Sequence, residues 1–316
     1  MKFASAGLVI ASLLSLATPA SAAAKGTVTL GATNSTSRHY VVSVAMGKAI
    51  QAGMKIPNVS VLETGASVDN IRRLSRGEID IGLVALDSGI QAVEGTGSFS
   101  GKAVADLAAV YAYDVSVLNV AVRADAGVSS LKDLSGKKFN AGIRGSGAEM
   151  LTRESFAMLG IEPSWSPGTV KDAVEGIQNR QVVGYAKYGT GTGIDATLRE
   201  LMTSTDMRLV GFSADERKKV QEKVKGVDFV TLPENLIPNQ SSIMTPAVPI
   251  TYSARTGTMD DDTAYGIAKA IYENRAMLIE AWPHLANFDF RQQALNVEKI
   301  GFKLHPGAKR FWESVK

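Results

Sequence analysis

Several residues in this 316-residue chain have the types and spacing needed to hold a small anion. Arg144 precedes Gly145-Ser146-Gly147, and a glycine-rich turn that opens a helix exposes backbone N–H groups. Arg38 opens another predicted helix, and Lys187 follows a predicted strand. A guanidinium fork together with helix N-terminal amides suits a carboxylate or a sulfonate. The sequence therefore predicts an anion site, with solvated surface positions as the alternative for Arg38 and Arg144.

Other polar residues have a structural explanation beside a binding one. Asp87 is suited either to accept a ligand ammonium group or to cap the helix that follows it. Ser67 is predicted first as a helix N-cap, and Asn70 as a structural hydrogen bonder or a ligand contact. His39 either contacts ligand or has a surface or capping role. The remaining candidate ligand contacts are Asn34, Ser35, Ser37, Tyr40 and Tyr111.

Catalytic motifs are absent from the sequence. It contains neither a GxxxxGK[ST] phosphate-binding loop nor a GxSxG nucleophile elbow. It has no cysteine, which excludes disulfides, Cys-ligated metals and thiol nucleophiles. Its three histidines are widely scattered. We therefore predict no cofactor, no metal and no catalysis, with a secreted enzyme that uses Asp87 or His39 as the alternative.

The charge balance disfavours nucleic acid as a partner. Lys and Arg together number 34 and Asp and Glu 31, so the formal net charge is only +3. Nucleic-acid-binding domains usually carry clustered Lys and Arg on one face. The longest basic run, Arg217–Lys219, is flanked by acidic residues on a predicted solvated helix.

Residues 1–22 are typical of a secretory signal peptide. Lys2 precedes an apolar run from Gly7 to Ala17, and Ala20-Ser21-Ala22 supplies a cleavage site of small residues. No later segment approaches the roughly 18 uninterrupted apolar residues of a membrane span. We therefore expect export to the periplasm, with an uncleaved N-terminal anchor as the alternative.

Strands and helices alternate along the rest of the chain. Apolar strands are predicted at Thr27–Gly31, Val59–Glu63 and Ile79–Val84, each followed by a polar loop and a helix. The pattern restarts with a strand at Leu118–Arg123, and a strand at Ala247–Ser253 is predicted to return toward the first unit. This alternation favours two α/β lobes with mainly parallel sheets, joined by two crossing strands.

The lobe boundaries follow from these elements. Lobe I is predicted to comprise residues 23–117 and 250–316, and lobe II residues 118–249. Ligands of open α/β sheets bind at the carboxyl ends of strands. We therefore expect a ligand cleft between the lobes, at loops 32–37, 65–70 and 144–147, and a hinge near 114–118 and 244–250.

Four segments in a fixed order carry a family resemblance. They are Ser67–Val84 (SVDNIRRLSRGEIDIGLV), Leu131–Asn140 (LKDLSGKKFN), Arg144–Gly147 (RGSG) and Leu304–Ala308 (LHPGA). Together they resemble the TAXI family, the solute receptors of tripartite ATP-independent periplasmic (TRAP) transporters, over about Thr27 to Glu313. The resemblance implies a type II periplasmic-binding-protein-like fold. It also implies capture of a small organic anion or amino acid, such as glutamate or 2-oxoglutarate, for delivery to a membrane permease.

The chain also departs from the family pattern. The first loop reads Asn34–Tyr40 (NSTSRHY) where relatives have a Gly-rich loop that ends in GxYY. Ala85 replaces the Gln of a QxD motif, and Arg180–Tyr185 lacks the family's Asp. The identity of the ligand therefore does not carry over. An immunogenic or adhesive surface protein is a further alternative.

Overall fold

The structure of the protein is a computed structural model that describes residues 26–189, 191 and 193–316. The predicted signal peptide lies outside the described residues. The strands are β1 (Thr27–Gly31), β2 (Asn58–Leu62), β3 (Ile81–Ala85), β4 (Leu107–Arg123), β5 (Lys138–Asn140), β6 (Ser164–Trp165), β7 (Gly184–Tyr188), β8 (Met207–Leu209), β9 (Asp228–Leu232) and β10 (Ile243–Arg255). The α-helices are α1 (Arg38–Met54), α2 (Ser67–Arg76), α3 (Leu86–Glu94), α4 (Gly147–Leu159), α5 (Val170–Gln178), α6 (Ala196–Leu201), α7 (Ala214–Gln221), α8 (Asp261–Glu273), α9 (Arg275–Ala281), α10 (Phe290–Lys299) and α11 (Pro306–Ser314).

Each lobe has its own sheet, and the long strands β4 and β10 connect them. The strand order is β2-β1-β3-β10-β4 in lobe I and continues as β4-β7-β5-β6 in lobe II. β1 is parallel to β2 and β3, and β5 is parallel to β6 and β7. β10 runs antiparallel to β3, β4 and β9. The expected α/β architecture is therefore present, but the sheets are mixed and not mainly parallel.

The two crossing strands are longer than the sequence pattern indicated. β4 begins at Leu107, whereas the sequence predicted a strand only from Leu118. Within β4, Val117 pairs with Ala247 of β10, and the next residue pairs with Tyr188 of β7. The partner of β4 therefore changes between Val117 and Leu118. The exact lobe boundaries and the hinge positions stay predictions.

The C-terminal helix α11 packs on lobe I. Trp312 is fully buried, and its indole N–H donates to the Val110 carbonyl oxygen at 2.9 Å. His305 caps the helix from a buried position, and its backbone N–H donates to the Ala109 carbonyl oxygen at 2.8 Å. These contacts fix the end of the chain against β4. Within the described residues, no helix is both long enough and apolar enough to cross a bilayer.

Asn70 joins α2 to the carboxyl ends of β1 and β3. Its side chain is fully buried, and Nδ2 lies 3.2, 2.9 and 2.9 Å from the carbonyl oxygens of Gly31, Ala32 and Leu83. A side chain on Gly31 would place its Cβ 2.5 Å from Asn70 Oδ1, so this position requires glycine. Asn70 therefore has the structural role of the two that the sequence left open, and it positions the loop that follows β1.

Replacing Asn70 by Ala is expected to lower the free energy of unfolding by about 1–3 kcal/mol, because buried carbonyl groups lose their donor. Urea unfolding followed by circular dichroism measures the change. Asn58→Ala, at an exposed position of β2, is the matched control and should stay within about 0.5 kcal/mol of the wild type. Equal stability of both variants would contradict the role assigned to Asn70.

Candidate ligand-binding site

A small cavity lies between the two lobes, and we call it the inner cavity. Its volume is about 40 Å³, which is room for a few water molecules. Its walls come from the loop after β1, the N-termini of α2 and α4, and the end of β7. The lining residues are Thr33, Asn34, Ser37, His39, Ala66, Ser67, Leu83, Ile143, Ser146, Gly147, Ala148, Lys187, Tyr188 and Ile250.

Two wider recesses flank the N-terminus of α6 and adjoin the inner cavity. The Trp282 recess, of about 480 Å³, is lined by Arg38, Lys187, Asp195 and Arg199 among others. The Glu63 recess, of about 620 Å³, shares Asn34 and Ile143 with the inner cavity. Because the three spaces share wall residues, they form one cleft with a narrow centre and two wider ends.

The lobes touch across this cleft. The Gly145 carbonyl oxygen of lobe II accepts hydrogen bonds from the Val68 and Asp69 backbone N–H groups of α2, at 3.0 and 3.1 Å. The Tyr188 hydroxyl group donates to the Asp87 carboxylate of α3 at 3.2 Å. The structure is therefore a closed form, and the inner cavity can admit a ligand of amino-acid size only when the lobes separate.

Lys187 provides a buried positive charge at the cavity wall. Among the described residues, it is the one Lys or Arg side chain that is buried. Its Nζ lies 2.7 Å from Thr197 Oγ1 and 3.5 Å from Asp195 Oδ1. Asp195 is itself fixed, because it caps α6 and accepts from the Tyr185 hydroxyl group at 3.0 Å. An ammonium has three N–H groups, so Lys187 can serve a ligand while keeping both of these partners.

His39 connects the inner cavity to a buried polar cluster. Its Nδ1 lies 2.9 Å from the Tyr113 hydroxyl group, and its Nε2 lies 3.3 Å from Ser116 Oγ. Burial, with a smaller contribution from the Lys187 charge, lowers the pKa of His39 to about 4. Burial raises the pKa of Asp114 to about 7 against the opposing hydrogen bond from Ser116. The imidazole is therefore neutral at neutral pH.

This cluster does not have the geometry of a Ser-His-Asp triad. In a triad the carboxylate orients the imidazole through Nδ1, whereas here Nδ1 faces Tyr113 and the Asp114 carboxylate accepts from Ser116. Ser116 is fully buried and is not part of the cavity wall. Within the described part of the chain, no group of three or more His, Asp or Glu side chains is placed to hold a metal ion.

Comparison with known proteins identifies the family of this chain. A sequence profile described as the NMT1-like family matches residues 30–314. The chain belongs to the NMT1-like family. Its fold is similar to that of the P235GK mutant of ArgBP from T. maritima, with a TM-score of 0.53 at 13% identity over 83% of this chain and 97% of that one.

Two further solved structures have the same fold as this NMT1-like chain. An ancestral arginine-binding protein bound to arginine gives a TM-score of 0.52 at 14% identity, over 82% of this chain and 98% of that one. XAC2383 from Xanthomonas citri, bound to ATP, gives 0.54 at 11% identity, over 92% and 100%. Identities this low establish the fold alone. The two-lobed periplasmic-binding-protein fold expected from the sequence is confirmed.

The NMT1-like chain does not bring Arg144 to the inner cavity. The Arg144 side chain is exposed, and the chain turns at Gly145 (φ +81°) before α4 begins. The Gly145 N–H donates to Glu149 at 2.8 Å, and Ser146 caps α4. The segment thus supplies Ser146 and Gly147 to the wall but no arginine. Arg38 is exposed at the Trp282 recess and donates to the Ala281 carbonyl oxygen at 3.1 Å.

The helix cap predicted at Ser67 is wrong, and so is the capping alternative given for Asp87. Helix α2 begins at Ser67 itself, and the cap position is Ala66. The Ser67 hydroxyl oxygen instead accepts from the Ala85 N–H at 2.9 Å, which leaves Ser67 on the cavity wall. Helix α3 begins at Leu86, so Asp87 lies inside its first turn and accepts from the Ser88 N–H at 2.7 Å.

The remaining candidates divide between the cavity and other places. Asn34 and Ser37 line it, and Ser37 also caps α1. Tyr111 lies in the core, where its ring centroid is 5.4 Å from that of Trp312. Ser35 is exposed and donates to Glu63. Tyr40 is half-buried on α1, outside the cavity wall.

Sequence reasoning also missed several wall residues of this NMT1-like chain. Tyr188 directly follows Lys187 in the segment after a predicted strand, and this position is the signal that would have found it. Thr33 lies in the predicted loop 32–37 but was not selected. The other omitted wall residues are apolar: Ala66, Leu83, Ile143, Ala148 and Ile250. Apolar wall residues have no signature that separates them from core residues in the sequence.

Proposed function

We propose that this chain is a solute-binding receptor that captures a small organic anion, such as a carboxylate, between its lobes and delivers it to a membrane permease. The observation that carries the proposal is Lys187, a buried cation on the wall of the interlobe cavity. Lys187 stays paired with Asp195 at 3.5 Å, and its remaining N–H group can donate to a carboxylate, a charge-assisted hydrogen bond that the low dielectric of the site strengthens.

Helix N-termini support the same conclusion. Gly147 and Ala148 form the first turn of α4 and line the inner cavity. Their backbone N–H groups donate no hydrogen bond to another described residue. The N-terminus of α1 also reaches the wall, through Ser37 and His39. Free amides at helix N-termini, with the helix dipole, stabilise a carboxylate or sulfonate.

The finer assignment is a receptor of the TAXI type that serves a TRAP transporter in the periplasm. It is supported by the resemblance of Ser67–Val84 and Leu304–Ala308 to that family, and by the predicted signal peptide. The two lobes, residues 23–117 with 250–316 and residues 118–249, then close about the crossing strands. The change of β4 pairing after Val117 supports this boundary.

Native mass spectrometry of freshly purified protein, followed by calorimetric titration, tests the proposal. We expect one small anion per chain, recovered chemically unchanged after prolonged incubation. Turnover of that compound, abolished in His39→Ala or Asp87→Ala, would instead establish an enzyme. A protein that neither retains nor binds any carboxylate or sulfonate would refute the receptor function.

Replacing Gly147 by Val is expected to weaken ligand binding by roughly 5- to 150-fold, because a side chain there opposes closure. A Cβ atom at Gly147 would lie 3.0 Å from both Ala85 Cβ and Ser88 Oγ of lobe I. Overpacking of this kind costs about 1–3 kcal/mol, and 1.4 kcal/mol corresponds to tenfold.

Calorimetry measures the affinity of the Gly147→Val variant, and small-angle scattering measures its radius of gyration with saturating ligand. Ala157→Val, at an exposed position of the same helix, is the matched control and should behave as the wild type. If Gly147→Val binds normally and compacts normally, the closed contact between α4 and β3 has no part in capture.

A further inference from the structure

We infer that the inner cavity selects a monoanion with an apolar body and rejects the corresponding α-amino acid. The inference rests on the proposed function and names the class of ligand that the site takes. An α-amino acid brings an ammonium group as well as a carboxylate. A buried ammonium needs a paired acceptor, since burying an unpaired charge is strongly unfavourable.

Within the part of the chain that the structure describes, the wall of the inner cavity has no carboxylate for such an ammonium. None of its described lining residues is Asp or Glu. Residues 1–25, 190 and 192, which complete the sequence, contain neither Asp nor Glu. Among the described lining residues, the charged side chain is therefore that of Lys187, which is paired with Asp195 at 3.5 Å, and the dipoles of the helix N-termini add to its positive potential.

The three buried carboxylates near the wall are already engaged. Asp114, which lies 4.0 Å from His39 Nε2, accepts from the Ser116 hydroxyl group and from the Gly191 N–H. Asp195 pairs with Lys187 and accepts hydrogen bonds from Tyr185 and from the Leu198 N–H. Asp87 is fully buried behind the wall, where it accepts from Ser88 and from the Tyr188 hydroxyl group. Tyr188 lines the inner cavity, whereas Asp87 does not. An ammonium would have to displace these partners to reach any of the three carboxylates.

The rest of the wall favours an apolar ligand body. Ala66, Leu83, Ile143, Ala148 and Ile250 contribute aliphatic side chains from both lobes. A second anionic group would find no second buried cation among the described residues. Arg38 and Arg199 are exposed and lie in the outer Trp282 recess. A ligand with one anionic end and one aliphatic end therefore matches the wall of the inner cavity.

Isosteric pairs of ligands test the inference by calorimetric titration. 2-Oxoisovalerate and L-valine differ at one substituent, as do 2-oxoglutarate and L-glutamate. We expect 2-oxoisovalerate to bind about 100-fold or more tightly than L-valine, and more tightly than 2-oxoglutarate. Equal or tighter binding of the amino acid in either pair would overturn the inference and leave the receptor function intact.

The ligand that the purified protein retains provides a second, independent test of the inference. An amine-free monoanion recovered from native protein supports the inference, and a recovered amino acid or dianion overturns it. If all four compounds fail to bind and no anion is retained, the proposed function fails and the inference fails with it.

A variant with a carboxylate on the cavity wall tests whether the lack of one causes the rejection of α-amino acids. Thr33→Asp places an acid on the wall of the inner cavity, and Ile143→Asp does so from the other lobe in case the first variant does not fold. Either change should raise the affinity for L-valine relative to 2-oxoisovalerate by tenfold or more, on the order of one buried charge contact. Thr96→Asp adds the same charge at an exposed position and should leave the ratio unchanged. If the ratio of the affinities for L-valine and 2-oxoisovalerate is unchanged in a wall variant that folds, the inference is overturned.

Discussion

Replacing Lys187 by Met is expected to weaken binding of the retained anion by roughly 30- to 3,000-fold. Loss of one partner from a buried charged contact costs about 2–5 kcal/mol, and 1.4 kcal/mol corresponds to tenfold. Arg144→Ala should weaken binding less than about fivefold, because an exposed charge contributes about 1 kcal/mol or less. Calorimetric titration of the two variants measures both affinities.

The control for Lys187→Met has to separate binding from folding. The single variant leaves Asp195 buried without its cation, and an unpaired buried charge is destabilising. The double variant Lys187→Met with Asp195→Asn removes both charges and should fold while still failing to bind. If Lys187→Met binds within threefold of wild type and Arg144→Ala does not, the anion is held by Arg144 and the site proposed here is incorrect.

Local sequence signals located most secondary-structure elements correctly. Helix α2 ends at Arg76 and helix α4 at Leu159, and the glycine that follows each, Gly77 or Gly160, adopts the left-handed conformation typical of such a cap. β1 spans the residues predicted for it. Signals of this kind are readable because each depends on a few neighbouring residues and on backbone geometry that favours glycine.

Side-chain direction was not readable in the same way. The Gly-Ser-Gly turn before α4 was identified, but not that Arg144 would lie outside it. The alternative of an exposed arginine, left open by the sequence, describes the observed position. A turn motif fixes where the amides of a helix point, whereas the direction of the preceding side chain depends on the packing of α4 against lobe I.

Contacts between the lobes were also beyond prediction. The Tyr188–Asp87 hydrogen bond joins residues 101 positions apart, and the Gly145 carbonyl oxygen reaches the N-terminus of α2 only after both lobes have formed. Ser67 and Asp87 do not cap their helices for a related reason, since α2 begins at Ser67 itself and α3 begins at Leu86, one residue before Asp87. Boundary shifts of one or two residues are common, and here they changed the role of Ser67 and Asp87.

Asp87 gives the second large expected effect, a pH-dependent difference in stability between wild type and Asp87→Asn. Burial raises the pKa of Asp87 from 3.8 to about 7, aided by the nearby Glu154 charge and opposed by hydrogen bonds from Ser88 and Tyr188. The folded state therefore holds this proton at pH values where the unfolded state has lost it. The stability that it contributes is complete below pH 3.8 and is lost as the pH rises to about 7.

The Asn variant keeps the shape of Asp87 but not its ionisation. Its Oδ1 can accept from Ser88, and its amide can donate to the Tyr188 hydroxyl oxygen. Relative to wild type, the free energy of unfolding of Asp87→Asn should rise by about 1.4 kcal/mol per pH unit, or by about 3 kcal/mol in total between pH 4.5 and 7. It should not rise further above pH 7. His39 and Asp114 titrate in both proteins, so their contributions cancel in the difference.

Urea unfolding of wild type and Asp87→Asn in half-unit steps from pH 4.5 to 8 measures this difference. Asp215→Asn, on the exposed first turn of α7, should show a difference from wild type that is nearly independent of pH. A constant difference for Asp87→Asn as well would mean that Asp87 is ionised in the folded protein throughout this range. It would then be a charged acceptor beside the cleft, and the rejection of ammonium ligands would lose one of its supports.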